Sequence, residues 1–309
     1  MATDRDFDVI IIGAGTAGLS AALFTTREQL KTLVIERSTF GGQIANAETI
    51  ENYPGLAESI RGIDLAVNML DQIKPYGLQT AFTEVEAVHV DGRPFVVATG
   101  MGSYTGKVVI LACGSSLKRL DVPGELAFEG HGVSYCATCD GGMFHNQEVG
   151  VIGGGDSAMD EALYLAELAT KVTVVHRSDQ LRATQVLQER ATSHPKIAFR
   201  WHTLVEGIEG NEQVEGLRLR DVHTGETSLL PVAGVFIYVG LHPNTDFLKR
   251  VLPLDAGGHV VVNQRMETEI PGLYAAGDLR QYSARQVIAS AGDGATAAFF
   301  AIQYLRGKP

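Results

Sequence analysis

Two stretches decide how this chain folds: VIIIGAGTAG, residues Val9–Gly18, and EVGVIGGGDSA, residues Glu148–Ala158. Each opens with a β-branched run that reads as a strand buried on both faces. Each then enters a glycine-rich turn and continues into an Ala/Leu-rich helix, Ala158–Ala169 in the second copy. A second apolar strand follows, Thr32–Ile35 leading to Glu36 and Lys171–Val175 leading to His176. The spacing from first glycine to strand end is 23 residues in both copies, Gly13 to Glu36 and Gly153 to His176.

The repetition continues beyond these units. Hairpin-rich segments come next, with turn signals at Asp91-Gly92 and at His223-Thr224-Gly225. Each ends in an apolar strand running to glycine, VVILACG (Val108–Gly114) and GVFIYVG (Gly234–Gly240). The pattern predicts an α/β chain of two Rossmann-like dinucleotide-binding domains, each a three-layer ββα sandwich, the second inserted into the first. The expected first domain is 1–117 plus 244–309, because the late strand GLYAAGD (Gly272–Asp278) needs that sheet to join. The expected second domain is 118–243, and the turn-formers Pro123-Gly124 and Pro243-Asn244 mark the joins.

Bulk properties narrow the function classes. A length of 309 residues suits two compact domains, with hydrophobic residues at 45% and charged residues at 20%. A net charge of −11 argues against nucleic acid held through its phosphates. Three cysteines cannot build a disulfide framework and suit a reducing compartment. The acidic start MATDRDFD lacks a signal-peptide n-region, and the apolar run after it is too short and glycine-broken to span a bilayer. A cytoplasmic, membrane-free protein is expected.

The glycines of G-x-G-x-x-G permit the tight turn, let backbone approach a pyrophosphate and pack helix on strand. In the first copy Gly13, Gly15 and Gly18 surround Ala14, Thr16 and Ala17, and Glu36 sits where a ribose hydroxyl binds. Its charge disfavours a 2′-phosphate, so FAD or NAD fits there and NADP does not. The second copy has Gly153, Gly155, Asp156, Ser157 and Ala158, with His176-Arg177 in place of the acid and Arg182 soon after. Cations at that position attract a 2′-phosphate, which favours NADPH over NADH.

SYCATCDG, Ser134–Gly141, holds Cys136 and Cys139 one helical turn apart, with Asp140 directly behind. Zinc needs two more soft ligands, and the third cysteine, Cys113, lies on an expected buried strand with no histidine beside it. No metal is expected. Redox cycling between dithiol and disulfide remains, and two dinucleotides beside a dithiol form an electron chain. Asp140 is placed to pass a proton to a departing thiolate.

Taken together, GAGTAG, GGQI (Gly41–Ile44), ENYPG (Glu51–Gly55), CATCDG, GGGDSAMDEALYL, AAGDLRQYSARQV and AGDGATAA resemble low-molecular-weight thioredoxin reductase over essentially the whole chain. That resemblance implies a homodimer reducing thioredoxin or a similar small dithiol protein, with FAD in the first domain and NADPH in the second. It further implies that Arg37, Gly41, Gly42, Gln43, Asn52, Val85, Gly114, Asp278, Arg285, Gln286 and Val287 line the FAD site, and that Gly240 joins the NADPH site. Cys139 would be the flavin-side thiol, Cys136 the one attacking the partner, and Asp140 the proton donor. Thr16 and Ser178 depart from the family pattern, which usually has proline and a second clamp arginine there. Without a guanidinium at Ser178 the grip on a 2′-phosphate is weaker by about tenfold to a hundredfold. That gap motivates the alternative of another electron donor or acceptor: ferredoxin, a second flavin, or oxygen in a dithiol oxidase.

Overall fold

The computed structural model describes residues 5–307. The chain opens with β1 (Asp6–Ile12), α1 (Thr16–Arg27), β2 (Thr32–Glu36), α2 (Gly62–Ile73) and β3 (Gln79–Phe82). An antiparallel run follows, β4 (Val85–His89), β5 (Phe95–Thr99) and β6 (Gly102–Leu111). β7 (Ser115–Leu117) leads into β8 (Val133–Ser134), the short helix α3 (Ala137–Asp140), β9 (Glu148–Gly153), α4 (Asp156–Leu168), β10 (Lys171–Val175), α5 (Gln185–Ser193) and β11 (Ile197–Arg200). Then come the hairpin strands β12 (Thr203–Gly210), β13 (Val214–Asp221) and β14 (Thr227–Pro231), followed by β15 (Gly234–Tyr238) and β16 (Leu241–Pro243). The chain ends with β17 (Leu273–Ala275) and α6 (Val287–Leu305). Two compact units result: one runs to Ser116 and resumes at His242, the other is Leu117–Leu241, inserted into it.

In the first unit the strand order is β3-β2-β1-β6-β5-β4. β6 pairs parallel with β1 along one edge and divides its other edge between two strands: Gly102–Gly106 pairs antiparallel with β5, and Val109–Leu111 pairs parallel with β17. This strand begins six residues before the expected Val108, because its first half, mostly exposed or half-buried, carries no apolar run, and it ends at Leu111 short of Gly114. Period-two alternation sends Val9 and Ile11 of β1 into the core shared with α1 and α6, and Ile10 and Ile12 into the opposite core, where Phe7 near the strand's start also packs. Burial on both faces explains the unbroken apolar run.

The second unit repeats the scheme. Its sheet, β11-β10-β9-β15-β8, is parallel throughout. Val149 and Val151 face the core of α4 and α5, while Ile152, Val235 and Ile237 face the core under the three-stranded β12-β13-β14 sheet. α4 starts at Asp156, two residues ahead of the expected Ala158, with Gly155 in extended conformation capping it. Among the described residues no helix is long and apolar enough to cross a membrane.

Candidate active site

The two glycine turns are built alike, and their sterics separate glycines needed by the fold from glycines that are not. A Cβ on Gly13 would lie 2.3 Å from the Ala112 carbonyl oxygen, and one on Gly18 would lie 1.9 Å from the Gly13 oxygen. A Cβ on Gly15 meets nothing nearer than the Gly41 oxygen at 3.9 Å, and its φ of −71° is open to any residue. In the second unit a Cβ on Gly153 would lie 2.4 Å from the Tyr238 oxygen, whereas Gly155 has nothing within 4 Å. The protein's own packing does not require glycine at 15 or 155, and the absence of a side chain there leaves the helix N-terminus open to an approaching group. Neither α1 nor α4 has a side-chain cap, so their first N–H groups and positive dipole ends are open to phosphate.

Around the first turn, Glu36 ends β2 with one carboxylate oxygen accepting the Ala14 N–H at 2.8 Å and the other the Ser38 N–H at 2.9 Å. The carboxylate is thereby fixed beside the turn with lone pairs left for hydroxyl donors. Thr16 is the buried first residue of α1, and Ala17 packs in the core with β1 and α6. Gly42 lies over the turn, for a Cβ on it would come 3.2 Å from the Gly15 Cα, and Gly41 takes φ 101°. Val85 lies two residues past Thr83, whose N–H donates to the Glu36 carbonyl. Gly114 takes φ 61° just after β6. Arg37 is exposed and pairs loosely with Glu84 at 3.8 Å.

Residues distant in sequence meet nearby. Gln43 Nε2 donates to the Ser115 carbonyl at 3.0 Å, and Ser115 Oγ donates to the Asp278 carbonyl at 3.2 Å. Asn52 Nδ2 donates to Gln286 Oε1 at 3.2 Å. Gln286 caps α6, Val287 is its first residue, and Arg285 precedes it with φ 54°. Asp278 Oδ1 accepts the Ser283 and Ser290 hydroxyls. Two residues that the sequence reading missed hold this loop: buried Asp293 accepts the Gly277 N–H and a two-pronged contact from Arg280. A signal existed, because Asp293 is the one charged residue in α6.

In the second unit His176 is buried, its ring lying against Gly154, where a Cβ would come within 2.5 Å. Its Nε2 is 3.1 Å from both the Ser178 hydroxyl and the Gln180 carbonyl. Burial, with Arg182 and Arg177 adding to it, holds the imidazole below its ordinary value, so it is a neutral wedge near pH 7. Ser178 turns its hydroxyl inward on the same atoms, while Arg177 and Arg182 are exposed. Asp156 accepts the Thr184 N–H at 2.6 Å, Ser157 is exposed, and Ala158 is fully buried. Gly240, at φ 123°, lies two residues past Tyr238, the partner of Gly153 in the sheet.

Cys136 and Cys139 form a disulfide, with Cα atoms 5.3 Å apart. Cys136 caps α3, its Sγ accepting the Cys139 N–H at 3.2 Å and lying 3.3 Å from Thr138 Oγ1. Tyr238 reaches in from β15 and accepts the Ala137 N–H at 3.1 Å. Burial, chiefly, and Glu161 raise its phenol far above the ordinary value, so it stays neutral. Ser134 donates to Asp140 Oδ2 at 2.6 Å and accepts the Cys136 N–H at 3.0 Å. Cys113 stands apart, its thiol pushed up to about 12 by burial and therefore inert. Among the described residues no metal-binding cluster of His, Cys, Asp or Glu exists.

Comparison with known proteins agrees with this geometry. The profile of the family described as pyridine nucleotide-disulphide oxidoreductase matches residues 7–294. Thioredoxin reductase of Treponema pallidum is 45% identical over 302 residues, covering 98% of both chains. The Bacillus subtilis thioredoxin reductase is also 45% identical, covering 96% of this chain and 94% of that one. The crystal structure of Lactococcus lactis thioredoxin reductase superposes with a TM-score of 0.95 at 40% identity, covering 97% of this chain and 99% of that one. With its two Rossmann-like units and its cysteine pair, the chain belongs to the pyridine nucleotide-disulphide oxidoreductase family, in the thioredoxin reductase group whose members use FAD and NADPH.

Proposed function

We propose that this chain takes electrons from NADPH and passes them through FAD to the Cys136–Cys139 disulfide, and from the dithiol to a thioredoxin. The observation that carries the reading is that disulfide, built into a helix N-terminus beside a buried-serine-held acid, in a chain with two nucleotide-type turns. The first unit, with Gly13, Gly15, Gly18, Glu36, Gly42, Gln43, Asn52, Asp278 and the start of α6, is assigned to FAD. The second, with Gly153, Gly155, Arg177 and Arg182, is assigned to NADPH. Both turns fit a pyrophosphate, because Gly15 and Gly155 leave open space above an uncapped helix. Glu36 suits a ribose diol, and the two exposed guanidiniums suit a 2′-phosphate.

When bound, NADPH supplies a hydride and FAD accepts and relays its electron pair. The chain's own part begins with the dithiol. Cys136 Sγ, stabilised as thiolate by the Cys139 N–H and Thr138 hydroxyl, attacks the partner disulfide, and one partner thiolate leaves. The Cys139 thiolate then attacks Cys136 Sγ, the second partner thiolate leaves, and the internal disulfide returns. Two electrons reach the partner, whose thiolates take up two protons. Asp140 supplies a proton at the cysteine pair.

The protein is assigned to the cytoplasm, where thiols stay reduced, and to a homodimer. Ile63 and Val67 on α2 and Phe24 on α1 are exposed apolar side chains suited to a second copy. Sedimentation at micromolar concentration checks the dimer. The catalytic reading is checked by NADPH oxidation coupled to thioredoxin in the purified yellow protein. Turnover lost in Cys136→Ser while flavin stays bound is expected; undiminished turnover in that variant contradicts it.

A further inference from the structure

Ser134 is the last residue of β8, only 5% exposed, and fixed by pairing with Phe236 of β15. Its Oγ sits among three polar atoms of the redox segment: Asp140 Oδ2 at 2.6 Å, the Cys136 nitrogen at 3.0 Å and the Cys136 carbonyl oxygen at 3.2 Å. The Cys136 N–H donates to it throughout. Its single proton therefore has two acceptors to choose between, the Asp140 carboxylate and the Cys136 carbonyl.

We propose that Ser134 is a positioning residue for proton delivery at the cysteine pair, its hydroxyl turning over to hold Asp140 in one place whether that carboxyl is charged or protonated. This rests on Asp140 being the proton donor. With Asp140 charged, the Ser134 O–H donates to Oδ2. With Asp140 protonated, its O–H donates to Ser134 Oγ, and the serine proton turns to the Cys136 carbonyl. When Asp140 gives its proton to a departing cysteine thiolate, an S–H bond forms, the Asp O–H bond breaks, no electrons are transferred, and the serine rotates back. Solvent reprotonates the half-exposed Asp140. A backbone N–H only donates and a carbonyl only accepts, so neither holds both states; a hydroxyl does. The other ionisable groups nearby are the two cysteines, Tyr238 from β15, and Glu161 and Tyr164 from α4.

The test compares wild type, Ser134→Ala, Ser134→Thr, Asp140→Asn and the double variant Ser134→Ala/Asp140→Asn as FAD-loaded proteins. Three readouts are used: the pH profile of thioredoxin-disulfide turnover, KM for NADPH, and infrared titration of the carboxylic C=O band that Asp140→Asn removes. Ser134→Ala leaves the Asp140 carboxyl unheld in either state and should shift the frequency of its carboxylic C=O band and lower kcat by about tenfold or more. KM for NADPH should be unchanged, Ser134→Thr should restore much of the loss, and the double variant should be no slower than Asp140→Asn. An Asp140 C=O band unshifted in frequency in Ser134→Ala, or losses that multiply in the double variant, overturns the proposal while leaving Asp140 as donor. Wild-type turnover in Asp140→Asn overturns the donor assignment itself, and this inference with it.

Discussion

Arg280 grips Asp293 with two parallel contacts, Nε to Oδ2 at 2.6 Å and Nη2 to Oδ1 at 2.8 Å, across the loop that carries Asp278. Asp293 is 7% exposed and also accepts the Gly277 N–H, so one buried carboxylate ties α6 to the end of β17. Removing one partner strands a buried charge, at a cost of about 3–5 kcal/mol. Arg280→Ala should therefore lower the midpoint of urea unfolding and release FAD at a lower temperature than wild type, as read by flavin fluorescence during a melt.

Glycine substitutions separate fold from ligand. Gly15→Ala meets open space and should leave the melting of the flavin-free protein near wild type, while the purified protein loses most of its yellow flavin colour. Gly18→Ala, 1.9 Å from a backbone oxygen, should instead cost about 1–3 kcal/mol or more in the flavin-free state. In the second unit Gly155→Ala should raise KM for NADPH with normal FAD content, and the absorbance ratio of flavin to protein checks it.

Glu125 is 1% exposed and accepts the Leu120 and Asp121 N–H groups and the Tyr135 hydroxyl, the last at 2.7 Å. Tyr135→Phe leaves two of three donors in place and should cost about 1–2 kcal/mol; Glu125→Ala orphans all three and should cost more. Denaturant unfolding followed by fluorescence of Trp201, the single tryptophan, reads both.

His176 sets a pH dependence. Burial first, then the neighbouring arginines, lowers its affinity for a proton from the ordinary 6.5. The folded protein then binds fewer protons than the unfolded chain around that pH, so this contribution is fully present above about 6.5 and is lost as pH falls below it. Trp201, whose ring centroid is 6.2 Å from that of His176, reports locally. The Trp201-monitored melting temperature should fall between pH 7 and 5, and less steeply in His176→Gln. Parallel curves would argue against the assignment.

Both Rossmann-like units were legible because their signals are local: apolar runs long enough for two-faced burial, glycines at fixed offsets and an equal spacing to the second strand. The first half of β6 is hidden from a sequence pattern because Gly102–Lys107 carries no apolar run. What sequence concealed is partnership at a distance. Ser134 looks like any turn serine until its hydroxyl is seen on Asp140, and Glu125 like a surface acid until Tyr135 meets it. His176 was read as a clamp cation, whereas its ring is buried under Gly154 with Ser178 bound to it, a geometry no charge pattern reveals. The lone acid in α6 was the one clue left unused.

Anaerobic titration of the purified FAD-bound protein with one equivalent of NADPH, followed by thiol tagging and mass mapping, decides whether electrons reach the cysteine pair. Two new thiols are expected, at Cys136 and Cys139, with Cys113 unchanged and the flavin returned to its oxidised spectrum. Persistent flavin bleaching with the Cys136–Cys139 disulfide intact, or no spectral response to NADPH, would contradict it.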